Sequence, residues 1–408
     1  MNYIVGLDIG SQNIKTAVAE VKRDNKLNLI RVFRTPCQGI RKGVVDDIAE
    51  VTRSLNLALN EVKKISNQGA KNIFVSVGSH DVRTQSSRGI VAVSRANYEI
   101  YQDDIDRAVE ASRAVNLPPN RLVLHALTQE YIVDGVGQLS NPLGMVGNKL
   151  EVNSLIVDAF SPNVKNITKC VEIAGGVISG AVFSPLACSR SVLSKNQKEL
   201  GVVAIDIGFS KTGLAVFEEN KLLHAAVFPI GAGNVTNDLA IGMKSSIAIA
   251  EMVKLSFGSA LAREVPSRET IDLRKIDPAA RGAVSRRYIS EIIEVRLAEV
   301  FEFVDNELKK IGRSHKLPAG SVIVGGGSKI PGLVDLAKQE LKLSAQIGVP
   351  DASQFDLTGS KELLTQIEDP EYACVLGLLL LGNDQAEPER RSSSGGNIFK
   401  RALGYFLP

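Results

Sequence analysis

Cysteine is scarce. The four cysteines, Cys37, Cys170, Cys188 and Cys374, lie far apart and show no metal-ligand spacing. That argues against a disulfide framework or a cysteine-based zinc site and suits reduced, mostly buried thiols in a cytosolic protein. Long apolar runs are also missing. The longest, ACVLGLLLL at 373–381, is about half the ~20 residues a bilayer span requires, so it reads as a buried helix. There is no basic n-region of the kind that opens a secretory signal, because the chain enters a strand pattern at once. Nor does charge of one sign dominate: a net +3 is too small to argue for nucleic acid as a partner.

What is present is an ordinary globular composition, 44% hydrophobic and 23% charged, over 408 residues. That length exceeds one ordinary core and predicts two or more domains. YIVGLDIG, KTAVAEV and LNLIRVFRT read as a three-strand meander. A helical segment follows, with Ile48, Val51, Leu55, Leu59 and Val62 on one face, and then the strand NIFVSVGS. The second half repeats the plan with GVVAIDIG, KTGLAVFEE and KLLHAAVFPIG, a long helix over roughly 285–311, and the strand SVIVGGGS. This alternation predicts an α/β fold of mixed sheets with covering helices. Between the halves, a helix near 103–115 flanked by strands suffices for a small α+β subdomain. NDQAEPERRSSSGG at 383–396 reads as a flexible linker.

Each half opens on the same device. Asp8 ends the first strand of IVGLDIGSQNIKTAVAEV, and Asp206 ends that of VVAIDIGFSKTGLAVF, half the chain away. Glycine after the acid lets the backbone approach an anion, and successive N–H groups point at it. The acids repel phosphate, but they can hold a hydrated magnesium ion that bridges to it. Two such hairpins suit a nucleotide clamped between two domains, although a lone DIG also serves ordinary tight turns. VIVGGGSKIPGL, with Gly325, Gly326, Gly327 and Ser328, suits a loop packed flat against adenine, or simply a strand-to-helix turn. Glu251 and Lys254 share a helix face, where they are either contacts to ribose and base or a solvated ion pair.

Hairpin, hairpin and glycine-rich loop in this order resemble the actin/Hsp70/sugar-kinase superfamily. Within it, EYIVDGVGQLSNPLGMVGNKLEVNSLIV, PLACSRSVLSKNQKELGVVAIDIG, YISEIIEVRLAEVF and the C-terminal segment resemble the FtsA family, over nearly all of the chain. The resemblance implies an actin-like (ribonuclease H-like) two-lobed ATPase fold. Subdomain 1A would take 1–82, completed by 162–197 and about 367–382, with an inserted subdomain 1C at 83–161. Subdomain 2A would take 198–226 and 303–366, and 2B 227–302. It also implies ATP and magnesium in the cleft. Nucleotide contacts would come from Asp8, Gly10, Ser11, Gln12, Asn13, Lys15, Asp206, Gly208, Phe209, Ser210, Lys211, Thr212, Gly231, Gly233, Glu251, Lys254 and the loop Gly325–Ser328, with Asp8 and Asp206 reaching the metal through water. The implied role is cell division: polymerisation into actin-like filaments, anchoring of FtsZ to the cytoplasmic face of the inner membrane at the division site, and recruitment of later division proteins through 1C.

One departure stands out. The family commonly writes the second hairpin D-I-G-G-G-T-T-D, and this chain has DIGFSKTG. Asp206, Gly208 and Thr212 match; Phe209 and Ser210 replace glycines, Lys211 a threonine and Gly213 an acid. Fewer glycines restrict how the backbone wraps a γ-phosphate, which favours nucleotide binding over hydrolysis. Lys211 either offers a cation to phosphate or points to solvent. Ser184, ahead of the connecting helix, shows no partner in sequence that activates a water.

Segment 397–408 is amphipathic on a helical wheel. Ile398, Phe399, Ala402, Leu403, Tyr405 and Phe406 form one arc opposite Lys400 and Arg401, and Leu407 adds a further aliphatic side chain. It is too short to span a bilayer but long enough to lie in the interface of anionic lipid. Apolar side chains give at most ~1.5–3 kcal/mol each and each cation about 1 kcal/mol, so one copy binds weakly and a filament of copies firmly. Docking of this segment on the protein body is the alternative. Arg296 and Glu299 share the exposed side of RRYISEIIEVRLAEVFEFV; by resemblance they contribute to the site for the FtsZ C-terminal peptide, and otherwise they are a solvated pair. Competing readings are a sugar kinase or Hsp70-type ATPase, and a PilM-like pilus-assembly protein. A kinase lacks a candidate general base here, an Hsp70 would carry a large further domain, and a PilM relative is expected to lack the amphipathic end.

Overall fold

The computed structural model describes residues 2–278, 282–357 and 360–391, with 386–391 as backbone only. The three meander strands of the first half are Asn2–Ile9, Asn13–Val21 and Leu27–Pro36; Ile73–Val77 and then Ile178–Phe183 add in parallel beside the first of them. In the second half Val202–Ile207, Thr212–Glu218 and Lys221–Phe228 form the same meander, extended in parallel by Ser321–Val324 and Ala345–Ile347. The two sheets therefore share one strand order, as the repeated sequence plan predicts.

Alternation along the strands divides the core. In the first strand Val5 and Leu7 pack toward the helices Ile48–Ile65 and Ser161–Ile173, while Ile4 faces the helices Ser184–Val192 and Ala373–Arg391. Helix Ile48–Ile65 starts where Asp47 accepts from the Ala49 and Glu50 N–H groups, and it buries Val51, Leu55, Ala58, Leu59 and Val62 at helical spacing. In the second lobe Val203, Ile205 and Ile207 meet Ile289, Ile293, Leu297, Val300, Val304 and Leu308 of the helix Arg286–Lys310.

An inserted unit carries a four-stranded antiparallel sheet, in the order Arg83–Ala92, Lys149–Phe160, Arg121–Val133, Val136–Leu139. It is covered by helix Gln102–Arg113 and has its own small core of Val93, Ile100, Ile105, Ala108, Val133, Leu150 and Val152. His125 joins it to the first lobe: its Nε2 accepts from the Phe183 N–H at 2.9 Å.

Two boundaries differ from the sequence reading. Phe355–Asp356 pairs in parallel with Leu27 and Asn28 at the edge of the first sheet, and Phe355 is buried in the first lobe's core. These residues thus belong with the first lobe and not with a 2A segment reaching 366. Helix Ala373–Arg391 also runs on through the first part of 383–396, the segment its composition marks as a linker. A polar composition is as compatible with a helix continued from a buried start as with a linker.

Candidate functional site

Each acid is the next-to-last residue of its meander's first strand, and the shared topology brings the two hairpins together. Asp8 lies opposite Lys15 across its hairpin, and Asp206 opposite Gly213. Both turns are tight: the Gly10 N–H donates to the Asn13 carbonyl and the Gly208 N–H to the Lys211 carbonyl. The hairpin tips touch, with the Ser11 hydroxyl donating to Ser210 Oγ at 2.6 Å. Gln12 is exposed, and its carbonyl accepts from the Cys37 N–H.

Asp8 is buried. Its Oδ1 accepts from Ser76 at 2.7 Å, and its Oδ2 stands 3.6 Å from Lys15 Nζ. Lys15 also lies 3.9 Å from Glu371. The two aspartates are pushed in opposite directions. Burial raises Asp8, but the ammoniums of Lys15 and Lys211 and the Ser76 hydroxyl outweigh it and hold the carboxyl below its usual range. At Asp206 burial and the charge of Asp8 outweigh both lysines and push the carboxyl up. Burial works against the Lys15 ammonium, yet Asp8, Glu371 and Asp206 together keep it above its usual range. A raised acid beside a lowered one marks like charges that two lysines do not fully balance. This donor chemistry fits a hydrated magnesium ion, with Asp206 as the less encumbered carboxylate. When bound, magnesium would supply divalent charge to phosphate oxygens.

Lys211 does not point into solvent. Its Nζ donates to the Gly78 carbonyl of the first lobe at 2.6 Å. Thr212 is fully buried, and its hydroxyl donates to the Ile230 carbonyl, so it pins the hairpin to the next loop and is turned from the cleft. That loop starts helix Ala232–Met243, whose first free N–H groups are taken by the second hairpin: Ala232 donates to the Gly208 carbonyl and Gly233 to that of Phe209. Side chains are excluded here, since a Cβ on Gly231 would come 2.5 Å from the Gly208 carbonyl and one on Gly233 2.8 Å from the Phe209 ring.

Glu251 and Lys254 are no solvated pair. Lys254 is 5% exposed, donates to the Ala232 carbonyl and to Thr236, and pairs with Glu251 at 2.7 Å. Its ammonium also stands 5.6 Å from the Phe209 ring centroid. The glycine-rich loop closes the remaining side. Gly325 has φ +87, a conformation that suits glycine, and its N–H donates to the Pro370 carbonyl. Gly327 packs against Ile207, and the Ser328 hydroxyl donates to the Gly325 carbonyl.

Ser76, Gly78 and Glu371 emerge only in three dimensions. Gly78 carried a signal of the kind already used for Gly325, a glycine directly after a buried strand. Ser184 is buried, and a Cβ added to Gly78 would collide with its hydroxyl. On helix Arg286–Lys310, Arg296 is half-buried and bound bidentately to Asp238 of helix Ala232–Met243, at 2.5 and 3.0 Å, as well as to Glu299. The expected membrane residues Ile398, Phe399, Lys400, Arg401, Ala402, Leu403, Tyr405, Phe406 and Leu407 lie outside the described residues. Among the described residues, no helix is long and apolar enough to cross a membrane, and the four cysteines are free and buried.

The family model "Cell division protein FtsA" matches residues 203–377, and "SHS2 domain inserted in FTSA" matches 79–158, within which most of the four-stranded unit falls. The chain is 34% identical to the cell division protein FtsA of Pseudomonas aeruginosa, over 97% of this chain and 93% of that one. The chain belongs to the FtsA family. Its similarity to FtsA of Bacillus subtilis is 32% identity, over 92% of this chain and 82% of the relative. Among solved structures, the PilM-PilN type IV pilus biogenesis complex has a TM-score of 0.62 at 19% identity, covering 93% of this chain and 98% of that one. MreB5 of Spiroplasma citri bound to ADP has a TM-score of 0.55 at 12% identity, covering 96% and 99%. These likenesses establish the actin-like ATPase fold for this FtsA-family chain, with the SHS2 unit inserted in its first lobe.

Proposed function

We propose that this FtsA-family chain binds ATP with magnesium between its lobes, polymerises into actin-like filaments and anchors FtsZ filaments to the cytoplasmic face of the inner membrane. Residues 397–408 would hold anionic lipid, Arg296 and Glu299 would contribute to the FtsZ peptide site, and the inserted subdomain would recruit later division proteins. The observation that carries the nucleotide part is the meeting of Asp8 and Asp206, half a chain apart in sequence, under touching hairpin tips. The MreB5 structure with ADP shares this fold and lends support. Binding is the expected activity, and hydrolysis is expected to be weak, since Phe209 stands where the family pattern has glycine.

Two measurements test the proposal. A titration with a fluorescent ATP analogue should saturate for the full chain and fail for Asp206→Ala; equal binding by both would remove the cleft assignment. Liposome co-sedimentation should pellet the full chain with anionic vesicles and leave a chain ending at Arg391 in solution. Equal pelleting would remove the anchor, and a parallel titration with the FtsZ C-terminal peptide addresses the partner.

A further inference from the structure

We infer that Lys211 is a phosphate ligand built into this chain: an ammonium held on the Gly78 carbonyl that moves to the terminal phosphate of a bound nucleoside triphosphate and reduces the need for magnesium there. The inference rests on the nucleotide reading above and goes beyond the contact expected of Lys211 by giving it one partner, the terminal phosphate, and a consequence for metal dependence.

Three observations converge on it. The first is position. Lys211 belongs to the turn whose neighbour Ser210 meets Ser11 of the first hairpin, and its ammonium reaches the Gly78 carbonyl, just past the first-lobe strand that pairs beside Asp8's own. The second is how it is held. The Nζ rests 2.6 Å from a neutral carbonyl, and no carboxylate lies within ion-pair distance of it among the described residues. A carbonyl satisfies one donor of an ammonium and leaves its charge available to a stronger acceptor, and phosphate oxygens are such acceptors. The third is that the resting place is shaped for it. A Cβ on Gly78 would come 2.6 Å from Nζ, and one on Gly43 would come 3.3 Å from the Lys211 Cδ. Two glycines of the first lobe thus leave room for a lysine stem and head that cross from the second. The field of this ammonium, like that of Lys15, already reaches both Asp8 and Asp206.

The test is a titration of the full chain with a fluorescent ATP analogue, in magnesium and again in EDTA. The unaltered protein should lose less than about threefold in affinity on metal removal, whereas Lys211→Met and Lys211→Thr should lose roughly tenfold or more, as the removal of a charge-assisted contact predicts. Lys211→Arg should keep the metal-tolerant behaviour. Lys211→Met keeps an apolar stem against Gly43 but loses the bond to the Gly78 carbonyl, so its melting temperature without nucleotide should fall somewhat; the ratio of its affinities in the two buffers, which a stability loss alone does not move, separates a phosphate role from a folding defect. The inference fails if the unaltered chain binds only with magnesium, or if Lys211→Met shows the parent's metal response. Absence of binding in both buffers would instead overturn the nucleotide reading itself.

Discussion

Asp206 illustrates how a single side chain is held against its own stability. Burial and Asp8 raise its carboxyl, so the ionised form costs free energy in the nucleotide-free protein at neutral pH. Asp206→Asn should therefore raise the melting temperature of the empty protein at pH 7 while lowering nucleotide affinity; a melting temperature that falls would show that the acid is compensated. His125 makes the opposite case. Its ring is buried, the Phe183 N–H donates to Nε2, and burial lowers its pKa from 6.5 to about 4. The folded state thus favours the neutral ring. Its contribution is complete above pH 6.5 and is lost as pH falls toward about 4, because the unfolded chain takes up the proton first. Melting temperature followed from pH 7 to pH 4.5 should fall more steeply for the parent than for His125→Gln. At this scale the sequence disclosed residues with a local signature, such as Asp8, Asp206 and the loop Gly325–Gly327. Ser76 and Glu371 have none: Ser76 reaches Asp8 through a parallel strand pairing, and Glu371 reaches Lys15 after the chain has passed through the second lobe and returned.

At the scale of elements, the repeated meanders and the long helix were legible because their hydrophobic periods are uninterrupted. The short strand Phe355–Asp356 was not. Two residues carry no period, and its place at the edge of the first sheet is decided by tertiary pairing. The end of helix Ala373–Arg391 was missed for a related reason, since polar composition suits a linker and a solvated helix alike. Its buried start is demanding: a Cβ on Gly377 would meet the Ala187 carbonyl at 1.8 Å. Gly377→Ala should force these two helices apart and cost about 1–3 kcal/mol, read as a lower denaturant midpoint. An unchanged midpoint would mean that the crossing relaxes freely.

For the whole molecule, polar contacts between the lobes include Ser11 to Ser210, Lys211 to Gly78 and Gly325 to Pro370, beside a buried apolar cluster in which Val75 and Phe183 of one lobe join Ala204 and Ala215 of the other. A ligand that bridges them should stabilise both lobes together. At about a hundredfold excess over its dissociation constant, ATP should add roughly 2.7 kcal/mol, and a single cooperative melting transition should move upward. Two transitions, with one unmoved, would show that the lobes melt independently. Duplicate sheets were visible in the sequence because each half repeats strand, acid, glycine and strand. How the lobes pack on each other was not, because the residues that join them, such as Phe183 and Ala215, meet only through tertiary packing.

Helix Ala373–Arg391 begins beneath this closure. The Cys374 thiol lies 4.0 Å from the Ser184 carbonyl, and a Cβ on Gly6, in the strand that carries Asp8, would meet the Val375 carbonyl at 2.7 Å. At 1.5 Å per residue the helix is a strut of roughly 28 Å. The start of this helix is therefore packed as one body with the strand that carries Asp8, and a shift of the one displaces the floor under the aspartates.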